Sequence, residues 1–218
     1  MNGNFFTLDE FNDAMRKIEP VFRVERRLPD QVFKRPCRFH LLCEFNFGMD
    51  DLQQALETTR SPLADETVLS CALDPDPITF YYKEFHKICG VYFKANFSMA
   101  EYLHMLFLKL NPNDETLEFL FTELEVYLPE SASWAMWGER SPDIAVIGLD
   151  DPALAAFLVN ETGYWMDAET ALRRFARLPF IDQEVPEDFR RALIANYGSR
   201  ADLEKTLGQR VEYSWEKP

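Results

Sequence analysis

The chain has 218 residues, enough for one sizeable domain or two small ones. Its 37 acidic and 23 basic residues leave a formal net charge of −14, with 47% hydrophobic and 14% aromatic residues. That balance weighs against nucleic acid and anionic membrane surfaces as partners and favours basic ones. No stretch approaches the roughly 20 apolar residues of a bilayer span. Residues 1–7 lack the basic and apolar regions of a signal peptide, so a cytoplasmic location is expected. The charge is also unevenly placed. Between Leu110 and Leu172 thirteen acids meet one base, Arg140, so that segment holds −12 of the −14.

The first element predicted is a helix. Thr7 and Glu10 form a capping-box pattern, Leu8, Phe11, Met15 and Ile18 recur at helical spacing, and Pro20 ends the run. Residues 21–35 read as a basic, extended stretch, and residues 37–47 as a strand by their alternation. A short helix capped at Asp50 or Asp51 follows, then a weaker strand over 67–73 and a turn at Asp74-Pro75-Asp76-Pro77. Residues 78–82 and 88–97 read as strands, being rich in β-branched and aromatic side chains. Ser98 with Glu101 opens a helix to about Leu110, and residues 114–128 read as a helix running into a strand.

Residues 134–139 and 144–149 form a predicted hairpin, the second strand apolar throughout and therefore covered on both faces. Helices follow, capped at Asp151, Asp167, Pro186 and Ser199, and residues 211–215 read as a last strand. The class is α+β: a mostly antiparallel sheet covered by helices, with a helix-rich C-terminal third. Residues 1–218 are expected to form a single domain, and 130–133 is the place where a weak subdivision would fall.

Motifs for chemistry are sparse. Cys37-x-x-His40-x-x-Cys43 and His86-x-x-Cys89 supply zinc-type ligands. On a strand, however, Cys37 and Cys43 would stand roughly 20 Å apart, with His40 on the opposite face. The four cysteines are read as reduced core thiols. No phosphate-binding glycine loop and no G-x-S-x-G elbow occurs. Asp150-Asp151 and Asp74/Asp76 fit capping and turn roles. No cofactor, metal site or catalytic residue is therefore expected, and the reading leans away from an enzyme.

Trp134, Trp137 and Trp165 lie within the acidic segment, either as core or as anchors inside an acidic rim. The interface reading names Glu123, Glu125, Trp137, Glu139 and Asp143 as partner-binding residues. In charge and composition the chain resembles bacterial immunity and antitoxin proteins, which neutralise basic toxins. The expected function is a non-catalytic protein-binding module for a basic protein. The alternative is a small metal-dependent hydrolase using carboxylate ligands. The basic stretch from Arg16 to Arg38 is expected to pair with the acidic segment or to form an exposed face.

Overall fold

The computed structural model describes residues 5–45, 67–94 and 122–216. The helices expected after Asp50, after Ser98 and after Asp114 lie outside these ranges.

Helix α1 (Leu8–Ile18) begins where the capping box places it. Glu10 N–H donates to Thr7 Oγ1 at 3.3 Å, and Glu10 Oε2 accepts from Thr7 N–H at 2.8 Å. Its inner face buries Phe11, Ala14 and Ile18, with Leu8 and Met15 half-covered.

Strands β1 (Phe39–Cys43), β2 (Thr67–Asp74), β3 (Gly90–Lys94), β4 (Leu124–Pro129), β5 (Trp134–Glu139) and β6 (Ile144–Leu149) form one sheet in the order β1-β6-β5-β4-β2-β3. Every pairing is antiparallel. β4 and β5 pair directly across residues 130–133, and β4, β5 and β6 are buried along their whole length. Both sheet faces are thus covered.

One face carries His40, Trp137, Glu139, Gly90 and Gly148 by the strand register, and lies under the N-terminal segment. Phe6 sits over Gly90 and exchanges backbone hydrogen bonds with Ile88 (3.0 and 2.9 Å); Phe33 and Cys37 sit over Gly148. Phe22 packs on Trp137, with ring centroids 5.6 Å apart. Helices α3 (Pro152–Phe157) and α4 (Ala168–Arg174) pack against β1, following the short helix α2 (Lys83–Phe85) in chain order. Helices α5 (Glu187–Tyr197) and α6 (Arg200–Leu207) complete the C-terminal part. Among the described residues no helix is long and apolar enough to cross a membrane.

Two predicted strands are something else. Residues 78–82 lie in a π-helical turn, Pro77–Tyr82, that runs into α2. Asp76 Oδ1 accepts from Ile78 N–H (3.1 Å), Thr79 N–H (2.7 Å) and the Thr79 hydroxyl (2.8 Å). An Asp cap followed by Pro at the first helical position overrides the β-propensity of Ile-Thr-Phe-Tyr-Tyr. Residues 211–215 do alternate, burying Val211 and Tyr213, but end in a 3-10 turn, Ser214–Glu216. At the β1 edge Met166 already exchanges backbone hydrogen bonds with Leu42 (2.7 and 2.9 Å). Tyr213 instead donates its hydroxyl to Asp167, and Trp215 stacks on it at 4.6 Å. The strand over 37–47 begins at Phe39, two residues late; of the strand over 88–97, Gly90–Lys94 pair and Ile88 forms an isolated bridge, and 95–97 lie outside the described residues.

Candidate functional site

β2, β4 and β5 reach the same end of the sheet, where Asp74 pairs with Leu124 and Leu124 with Glu139. The chain fixes this rim with backbone contacts. Glu123 N–H donates to Asp74 O at 2.8 Å, Arg140 N–H to Glu123 O at 2.9 Å, and Arg140 Nε to Thr122 O at 2.8 Å. Glu123 Oε1 accepts from Ser141 N–H at 2.7 Å, tying the β5–β6 turn to the start of β4.

A second wall comes from the basic stretch, which is a clamped loop rather than an extended segment. Arg23 N–H bonds Val32 O (2.7 Å) and Lys34 N–H bonds Val21 O (2.8 Å). Gln31 and Asn196 each donate to the other's segment, at 2.9 and 2.8 Å, while the Tyr197 hydroxyl takes Val32 N–H (3.1 Å) and donates to Asp30 O. Held against α5 in this way, the loop delivers Arg27 and Leu28 to the sheet end. The third wall is Pro179, Phe180 and Phe189, with the two phenyl rings edge-on at 5.1 Å. Together the walls enclose an open cleft of about 470 Å³, within the range of sites that take a small ligand.

The charged groups among the cleft's described residues are three carboxylates and one guanidinium. Arg27 Nη2 lies 3.2 Å from Asp74 Oδ2, both side chains being about 40% exposed. Glu139 is deep, 5% exposed. Its Oε1 accepts both Leu28 N–H (2.8 Å) and the Trp137 indole N–H (2.6 Å), while no described residue donates to Oε2. Burial pushes its carboxyl above the ordinary range. The two donors and the nearby Arg27 pull it back, and Glu123 pushes it up further. Neither Glu123 nor Glu139 has a basic side chain within ion-pair distance among the described residues.

Of the sequence-selected residues, Glu123 and Glu139 line the cleft, whereas Trp137, Glu125 and Asp143 do not. Trp137 is fully buried under Phe22 and serves as the donor that sets Glu139. Glu125 pairs with Gly138 in register, so its side chain emerges on the opposite sheet face. There it is buried, accepts from the Ser70 hydroxyl, and has its carboxyl raised chiefly by burial. Both residues are buried in this conformation. Asp143 sits in the β5–β6 turn at φ 53°, with its N–H on Arg140 O, a backbone state that short Asp side chains tolerate.

The acidic segment is not one face. Asp150 accepts Arg38 N–H at 2.8 Å and lies 3.7 Å from Arg35, Asp151 caps α3, and Asp167 caps α4. Asp74, Arg27, Phe180 and Phe189 were not singled out by sequence reasoning. Asp74 carried a turn signal and Arg27 a place in the basic stretch, while the two phenylalanines carried none.

Other candidate chemistry is less supported. Cys43, Cys71 and Cys89 are buried thiols, and burial raises Cys37 and Cys71 above the ordinary thiol range, away from the thiolate a nucleophile needs. His40 is pulled down to about 4 by burial, between Phe33 and Tyr197. Among the described residues no three His, Cys, Asp or Glu side chains gather as metal ligands. A larger hollow of about 760 Å³ beside α6 has most of its charges paired internally. There Arg200 meets Glu216 at 2.7 Å and Glu204 at 3.5 Å, and Arg173 meets Glu169 at 3.2 Å. Comparison with protein-family models, curated proteins and solved structures yields no match.

Proposed function

We propose that this chain is a non-catalytic binding protein for a basic protein partner, in the manner of an immunity or antitoxin protein, and that the Asp74–Glu123–Glu139 cleft is its receiving surface. The observation that supports this is the composition of the cleft: three carboxylates against one guanidinium, beside an apolar wall. Unpaired carboxylates at a cleft attract cations and speed encounter, and the apolar wall supplies area to bury once contact is made. Trp137 acts from beneath by holding Glu139, not by touching the partner.

The test is affinity capture from the source lysate at about 50 mM and about 500 mM salt, with the parent chain and with Asp74→Lys/Glu123→Lys. Both positions are at least partly exposed, but reversal removes the Glu123 acceptor of Ser141 N–H and the Arg27–Asp74 pair, so a urea midpoint establishes that the variant is folded before capture. A basic protein held by the parent at low salt, released at high salt and missed by the reversed variant is the expected result. Equal recovery by the reversed variant would remove the cleft from the function.

A further inference from the structure

Resting on the basic-partner reading, we propose that the cleft is a receptor for one arginine side chain of that partner. Its guanidinium would be held by Glu123 and Glu139, with the apolar residue beside it set on Ile181.

Four observations converge. First, Glu139 lines the cleft at 5% exposure, its Oε1 is doubly occupied, and no described residue donates to Oε2. A carboxylate oxygen that reaches the open cleft and has no donor among the described residues is free to accept an incoming N–H, and a charged donor makes the stronger bond. Second, the cleft already accommodates a guanidinium: Arg27 pairs with Asp74 and also favours the charged form of Glu139, yet neither Glu123 nor Glu139 has a basic side chain within ion-pair distance among the described residues. Third, the opposing wall is aromatic. Phe180 and Phe189 offer ring surface to a planar, weakly hydrated cation, which suits guanidinium better than the compact, strongly hydrated ammonium of lysine.

Fourth, the loop that carries Phe180 holds two aliphatic side chains in water. Ile181 is 88% exposed and Leu178 53%. Behind Ile181, Asp182 and Gln183 both adopt left-handed backbone, at φ 54° and 58°. The turn is closed by Gln183 N–H on Phe180 O (2.9 Å) and Glu184 N–H on Ile181 O (3.1 Å), which hold Ile181 at its exposed tip. An exposed aliphatic tip beside a charged cleft has the form of an interface anchor.

The reporter is the Trp137 indole N–H, which donates to Glu139 at 2.6 Å. The ¹⁵N-labelled full chain is titrated with acetyl-Leu-Arg-amide, the neutral isostere acetyl-Leu-citrulline-amide and acetyl-Leu-Lys-amide, the indole resonance being assigned with Trp137→Phe. A saturable shift below about 10 mM is expected for the arginine peptide, with about tenfold weaker binding of the citrulline peptide. Glu123→Gln, which keeps the acceptor for Ser141 N–H, weakens the arginine peptide about tenfold. Ile181→Ser, a surface change without a folding cost, weakens acetyl-Leu-Arg-amide but leaves acetyl-Gly-Arg-amide unchanged.

No saturable shift, or equal binding of the citrulline peptide, overturns the proposal. Binding of the lysine peptide as tight as that of arginine overturns the arginine assignment while the basic-partner reading stands. That reading falls separately, when charge reversal at Asp74 and Glu123 leaves capture unchanged.

Discussion

Glu139 is the residue through which the fold and the cleft meet, and its removal is the most informative perturbation. Its Oε1 satisfies two donors, Leu28 N–H and the Trp137 indole, both in buried residues. Glu139→Ala leaves both donors unpaired. At about 1–3 kcal/mol for each buried donor, the loss of stability is about 2–6 kcal/mol. Glu139→Gln keeps an acceptor at the same place and is expected within about 1 kcal/mol of the parent.

The two forms also differ in pH dependence. Burial, the largest cause, raises the Glu139 carboxyl above its ordinary 4.5, so the folded chain binds this proton more tightly than the unfolded chain. The associated stability is fully present below 4.5 and is lost as pH rises through the folded-state value. The glutamine variant does not titrate there, so its stability relative to the parent improves as pH rises. Urea denaturation followed by tryptophan fluorescence, from about pH 4 to pH 8, measures both effects. An alanine variant within about 0.5 kcal/mol of the parent, or a glutamine variant as weak as the alanine one, would refute the double-acceptor account.

Two further predictions concern the N-terminal segment that covers the sheet. A Cβ at Gly90 would stand 2.4 Å from the Phe6 ring, which is pinned by its backbone bonds to Ile88. Gly90→Ala is therefore expected to cost about 1–3 kcal/mol, and clearly less in a Phe6→Leu background; equal cost in both backgrounds in a double-mutant cycle would show that Phe6 is not the obstacle. Thr7→Ala removes one half of the capping box and is expected to lower stability by about 1 kcal/mol, measured as a shift of the urea midpoint with unchanged slope.

The burial of Trp137, Glu125 and Glu139 has a common origin. Each lies on a strand with neighbours on both sides, and both faces of that sheet are covered. Alternation in the sequence shows which residues share a face, but not which face water reaches. A run such as Trp-Ala-Met-Trp-Gly-Glu therefore reads equally as an exposed aromatic and acidic rim or as a central strand.

What the amino-acid sequence determined by itself is local. The capping box at Thr7, the caps at Asp151, Asp167 and Ser199, and the hairpin of β5 and β6 are all set by groups within a few residues of one another, and each was legible. The α+β class followed from their order. Only the tertiary structure decided where the charge goes. Leu28 N–H reaches Glu139 across 111 residues of chain, and Arg27 reaches Asp74 across 47. Phe180 and Phe189 enter the same cleft from a turn and a helix with no charge signal of their own. An acid's role depends on whether water, a backbone donor or a guanidinium lies beside it. Those neighbours are set by the folding of distant segments onto one sheet end, a relation that no local spacing encodes.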